Sequence, residues 1–192
     1  KDELHALTER LKAARDYAEA REAFLAHEAA YIHMETQATL ASVRHTIDTR
    51  DEFYDAEETF WNAATPELDA YEDAWKGTML ESPFRKEFAA EYGDLMFVNA
   101  EIARKAFSPE IIPESQQEND LSQAYSKLIA SAQIPFEGGV YTISQLSPFK
   151  NDADDARRLA AWQAEGAWYK EHQAEFDEIY DKLVHLRDTM GK

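Results

Sequence analysis

Histidines set beside carboxylates are the first residues to weigh, because imidazole and carboxylate together hold metals and move protons. His27-Glu-Ala-Ala-Tyr31 has the outline of His-Glu-x-x-His, in which two imidazoles one helical turn apart bind zinc and the Glu is general base. Here the second imidazole is replaced by a phenol, a rare zinc ligand, so the stretch is read as a helix flank packed on a neighbour. A di-metal site inside a helical bundle needs Glu-x-x-His pairs. None of the six histidines has Glu three residues earlier: those positions are Asp2, Phe24, Ala30, Ser42, Tyr169 and Lys182. Asp181 and His185 share one helix face and read as local helix support rather than a catalytic dyad. No Gly-x-Ser-x-Gly elbow occurs, and the double glycine Gly138-Gly139 lacks the lysine and spacing of a phosphate loop. No catalytic, cofactor-binding or metal-ligating residue is therefore assigned.

Composition narrows the classes further. The 192 residues contain no cysteine, which removes disulfides, thiolate zinc sites and cysteine nucleophiles together, and fits a reducing, cytoplasmic setting. Twenty basic against 38 acidic residues give a formal charge of −18, which repels phosphate backbones and anionic lipid. Neither nucleic acid nor a membrane is an expected partner, and no apolar run approaches membrane-spanning length. Between Asp51 and Trp75, the acids Asp51, Glu52, Asp55, Glu57, Glu58, Glu67, Asp69, Glu72 and Asp73 occur without a Lys or Arg. That run reads as a solvated helix face, or alternatively as a surface for cationic ligands.

The elements that would position these residues are helices. Leu4, Leu7 and Leu11 form a helical stripe at once, as in a piece trimmed from something longer. Tyr31, Ile32, Leu40, Val43 and Ile47 mark a long helix joined by a polar turn to an antiparallel partner carrying Phe53, Phe60, Trp61 and Ala64. Thr65-Pro66 either kinks that partner or caps a new start; Ser82-Pro83 and Ser108-Pro109 are Ser caps followed by Pro. Leu159, Trp162, Gly166, Tyr169, Phe176, Tyr180 and Leu183 trace one face of a long terminal helix, with Gly166 read as a close helix crossing. The aromatic rows read as helix-spaced core.

One stretch breaks the helical period. Around Gly138-Gly139 two short β-forming runs predict a hairpin near residues 132–142, with Phe136 facing Tyr141 and Ile134 facing Ile143. Pro135 confines it to an edge or an isolated ribbon, and two strands alone are marginal, so its apolar side must lie on helices. Thr142 to Gln145 has the spacing of a capping box. The fold class is all-α: a multi-helix bundle of long antiparallel helices with one short β-hairpin. It is read as a single helical domain over residues 1–192, with N-terminal helices in 1–106 and then helix, hairpin and long terminal helix in 107–192.

Four stretches carry a resemblance: Arg44-His-Thr-Ile-Asp-Thr-Arg-Asp-Glu-Phe-Tyr-Asp-Ala-Glu57, Phe107-Ser-Pro-Glu-Ile-Ile-Pro113, Ala130 to Phe136 through Ser147-Pro-Phe149, and Tyr180-Asp-Lys-Leu-Val184. Together they resemble the N-terminal portion of oligoendopeptidase F-like zinc metallopeptidases of the thimet-oligopeptidase superfamily, over roughly residues 40–192. The resemblance implies a helical lobe that walls a channel for short peptides and docks on a catalytic domain. The family's zinc sits on a His-Glu-x-x-His helix downstream of the matched region, so zinc is expected only in a full-length parent, and no zinc ligand carries over. Such a lobe is expected to be inactive alone. The alternative is an engineered or reused helical scaffold derived from it.

Overall fold

A computed structural model describes residues 1–192. Nine α-helices and one two-stranded antiparallel ribbon make up the regular structure, as the all-α reading expects. The order is α1 (Asp2–Lys12), α2 (Tyr17–Ile47), α3 (Glu52–Glu81), α4 (Arg85–Tyr92), α5 (Leu95–Ala106), a 3-10 turn (Pro109–Ile111), α6 (Ile112–Ala130), β1 (Ile134–Phe136), β2 (Gly139–Tyr141), α7 (Ile143–Lys150), α8 (Asp155–Glu171) and α9 (Gln173–Met190). The chain divides into two compact units, one of Lys1–His45 with Glu52–Gln116 and one of Thr46–Asp51 with Gln117–Lys192.

In the first unit the long helices α2 and α3 run antiparallel. His27 meets Glu72, Ser42 meets Glu58 and His45 meets Asp55, so positions fall along α3 as they rise along α2. Pro66 lies inside α3, which continues through it to Glu81 rather than restarting. The core gathers Leu11, Phe24, Trp75, Met79, Phe88 and Phe97, from α1 to α5. Phe88 is sealed between Tyr17 and Phe24, with ring centroids 5.1 and 5.3 Å away. Gly77 leaves room for a side chain from α5: a Cβ there would sit 2.8 Å from the Arg104 guanidinium, which bonds Asp73 at 3.1 Å.

The second unit is built around the ribbon. Ile134 pairs with Tyr141 and Phe136 with Gly139, so the turn residues are Glu137 and Gly138, one step earlier than the double glycine suggests. Both adopt positive φ, 45° and 81°. The Glu137 carboxylate is held by Arg157, with Nε 2.9 Å and Nη2 2.7 Å from its oxygens. Ile143 does not pair in the strand, because Thr142 ends it with a complete capping box: its Oγ1 accepts from Gln145 N–H and its own N–H donates to Gln145 Oε1. The ribbon's apolar side does lie on helices of the same chain. Ile134 and Phe136 are buried with Leu146, Ala161 and Trp168.

Two expectations about the terminal region are corrected. The long helix is interrupted at His172, whose Nδ1 lies 2.9 Å from the Trp168 carbonyl, giving α8 and α9. Gly166 faces open space, not a crossing helix; the buried face of α8 is instead Ala161, Glu165 and Trp168. Nor are all aromatic rows core: Trp75 and Trp168 are buried, whereas Phe53, Phe60 and Trp162 are more than half exposed. Helical spacing identifies a stripe, not the neighbour that covers it.

Candidate functional site

The seam between α2 and α3 holds the most unusual polar group of the first unit. Ala20, Ala23 and Phe24 bury one face of α2, and His27 falls on it one turn later, 1% exposed. Its imidazole lies flat on the Trp75 indole, with centroids 3.8 Å apart and planes within 2°. From α3, Glu72 places Oε1 3.0 Å from His27 Nε2, and from α2 itself Glu28 places Oε1 3.8 Å from Nδ1. Glu72 is only 6% exposed. The contact is an ion pair without a formed hydrogen bond: neither ring nitrogen nor Glu72 Oε1 has an aligned partner.

The electrostatics follow from this geometry. Burial pulls His27 toward its neutral form, but the Glu28 and Glu72 carboxylates together outweigh it and hold its pKa above the ordinary histidine value. Burial, then Glu35, raises the Tyr31 phenol well above its usual range, and burial raises Asp69. The acidic run on α3 is thus not uniformly a solvated face. Glu72 points inward, Asp55 reaches His45, Asp73 holds Arg104, and Glu67 pairs with Lys1.

His27 and Tyr31 do form a helix flank packed on a neighbour, as the sequence implied, but the Glu72 carboxylate on that neighbour was not legible beforehand. The arrangement does not fit zinc. Glu72 and Glu28 stand at opposite ring nitrogens of His27, so the three cannot converge on one ion, and no cluster of three or more His, Asp or Glu side chains gathers elsewhere. Asp181 and His185 are both about three-quarters exposed. His185 Nδ1 lies 2.8 Å from the Asp181 carbonyl, which raises its pKa together with the nearby carboxylate. That is local helix support.

In the second unit, a groove of 690 Å³ runs along α6 and α9, lined by Tyr125, Tyr169, Phe176, Tyr180, Leu183 and Arg187. Arg187 is tied to Glu118 at 2.7 Å, and Tyr125 meets Phe176 edge-on at 5.7 Å. The groove is open and mostly apolar, with Ser122, Ser126, Gln173 and Asp177 as the rest of its polar lining. No helix of the chain is long and apolar enough to cross a membrane.

The same helical arrangement occurs in solved structures of larger chains. The structure of a protein assigned as oligoendopeptidase F shares 35% identity with this chain and superposes with a TM-score of 0.94, over 98% of this chain and 34% of that one. PZ peptidase A, solved with an inhibitor, gives 34% identity and a TM-score of 0.94 over 98% and 34%. A protein assigned as oligoendopeptidase F from Bacillus anthracis str. Ames gives 32% and 0.94 over 100% and 36%. The chain spans about a third of the length of these structures. A comparison with curated protein sequences finds no match. The Peptidase M3 N-terminal domain signature covers residues 1–107, and the chain belongs to that family. The signature begins at residue 1, so the resemblance reaches earlier than the roughly residue 40 from which the sequence motifs alone made it visible.

Proposed function

We propose that this chain is the non-catalytic N-terminal lobe of an oligoendopeptidase F-like zinc peptidase, walling the channel for short peptides and docking on the catalytic domain. The observation that carries the reading is a set of helix faces whose large apolar side chains stand in water. On α5, Leu95, Val98 and Ile102 form one exposed stripe; on α2 and α3, Ile32, Val43, Phe53 and Phe60 are exposed; on α8 and α9, Trp162, Tyr180 and Val184. The α5 stripe runs along one helix face, and a contiguous exposed apolar face marks an interaction site; about two-thirds of each matched peptidase lies outside the region shared with this chain. In this reading zinc and the peptide bond to be cut belong to the catalytic part, the protein is cytoplasmic, and residues 1–192 behave as one helical domain.

The test is a quenched fluorescent peptide incubated with the chain, with and without added zinc. No turnover and no stoichiometric zinc are expected; hydrolysis that a chelator abolishes would overturn the proposal. Adding the catalytic part of a related peptidase is expected to give a complex that Val98→Asp weakens without lowering the chain's own Tm. Calorimetry is expected to give one unfolding transition, and two separated transitions would overturn the single-domain reading.

A further inference from the structure

Beside Glu72 the first unit opens into a cavity of 270 Å³, walled by Phe24, Trp75, Met79, Met96, Phe97 and Ala100. Glu28, Glu72, Lys76 and Asn99 supply its polar atoms. We infer that this cavity binds a small organic cation, a primary ammonium on a short apolar stem, with Glu72 as its counter-charge. The inference concerns the chain by itself and does not rest on the peptidase reading.

Three observations meet here. Glu72 is a carboxylate almost wholly out of water, and such a group needs a positive partner or aligned donors. Its Oε1 is sealed against His27, whose Nε2 stands 3.0 Å away but off the hydrogen-bond line and carries a charge only when protonated. The carboxylate therefore has no permanent cation within ion-pair distance, and a cavity ligand acts on the carboxylate as a whole rather than on that atom. The remaining wall is aromatic and thioether surface, which suits an apolar stem and gives an ammonium the face or edge of an electron-rich ring. The volume lies just below the roughly 300–1,000 Å³ of pockets for drug-sized ligands, so the occupant is the size of an amino-acid side chain or a simple amine. Two carboxylates on the lining disfavour an anion, and carboxylates on opposite sides of the imidazole disfavour a metal ion.

The site carries its own linkage. His27 faces Glu28 and Tyr31 from α2 and Glu72 and Trp75 from α3. An ammonium beside Glu72 and a proton on His27 compensate the same buried charge, so each weakens the other. Lys76, on the cavity lining, adds positive charge that opposes the ligand.

The experiment titrates the 192-residue chain with phenethylamine hydrochloride, following the Trp75 indole and His27 imidazole signals by NMR; 2-phenylethanol serves as the neutral match. Saturable binding is expected, at least ~10-fold weaker for the alcohol and for Glu72→Gln, the loss of one charge-assisted contact. Saturating amine is expected to lower the His27 pKa, and Lys76→Met to tighten binding. Ala100→Leu fills the cavity while keeping Glu72, so it is expected to block binding with the helical circular-dichroism signal intact, which keeps the test valid if Glu72→Gln folds poorly. No saturation by tens of millimolar amine, equal binding of the alcohol, or an unmoved His27 pKa would each overturn the inference.

Discussion

Each unit buries one acid–base pair, and the two are finished differently. In the second unit Lys150 donates to Glu165 in a formed hydrogen bond, with both side chains about nine-tenths buried and the ammonium 4.6 Å from the Trp162 ring centre. Its charge is compensated, directed and roofed by an indole, so the pair is closed and serves packing. In the first unit His27 and Glu72 are buried more deeply, yet the donor misses the acceptor and a cavity lies beside the carboxylate. A charge pair whose geometry is incomplete next to open volume is where a ligand or a proton finds work. The contrast separates a structural pair from a candidate site better than burial does.

Four measurements would break or sharpen this contrast, from the largest expected effect down. Lys150→Met leaves Glu165 buried without its counter-ion, and urea unfolding is expected to register a loss of about 3 kcal/mol, in the range for breaking one side of a buried pair; a loss below about 1 kcal/mol would remove the distinction. Thr142→Ala deletes one half of the capping box at the start of α7 and is expected to lower stability by about 1 kcal/mol by the same measurement. Glu72→Gln is expected to cost less than either, least at the alkaline end of the titration where His27 is neutral, and more at the acidic end, where a charged His27 would keep only Glu28. A cost independent of pH would mean that the two residues are not coupled.

The smallest effect is the pH dependence of the intact chain. His27 has a folded pKa above its unfolded value. The stability it contributes is therefore fully present below the unfolded pKa and is lost as pH rises through the folded one. Urea midpoints taken from about pH 6 to about pH 9 are expected to decline through that window, and His27→Gln is expected to flatten this component. A decline that survives the substitution would assign the effect to another group.

Much of the fold was legible in local chemistry. Ser108 accepts from the Glu110 N–H ahead of Pro109, and Thr142 with Gln145 makes both bonds of its box, because a cap needs only residues three positions apart. The hairpin was legible too, though its turn came to rest on Glu137-Gly138, where Arg157, twenty positions away, pairs with the Glu137 carboxylate. The α2–α3 site was only half visible. His27 stood out by its motif, but Glu72 was one of nine acids on a helix, and nothing local says which of them turns inward.

The residues alone therefore determined that this chain is helical, where several helices start, that one ribbon interrupts them, and that no His-Glu-x-x-His motif is present. The tertiary structure decided which stripe is covered: Trp75 but not Phe60, Trp168 but not Trp162, with Gly77 under the Arg104 side chain and Gly166 facing open space. It also decided that His27 and Glu72 meet. The physical reason is one of range. Periodicity and capping are set within a turn or two of helix, whereas burial and charge pairing depend on where a distant helix crosses.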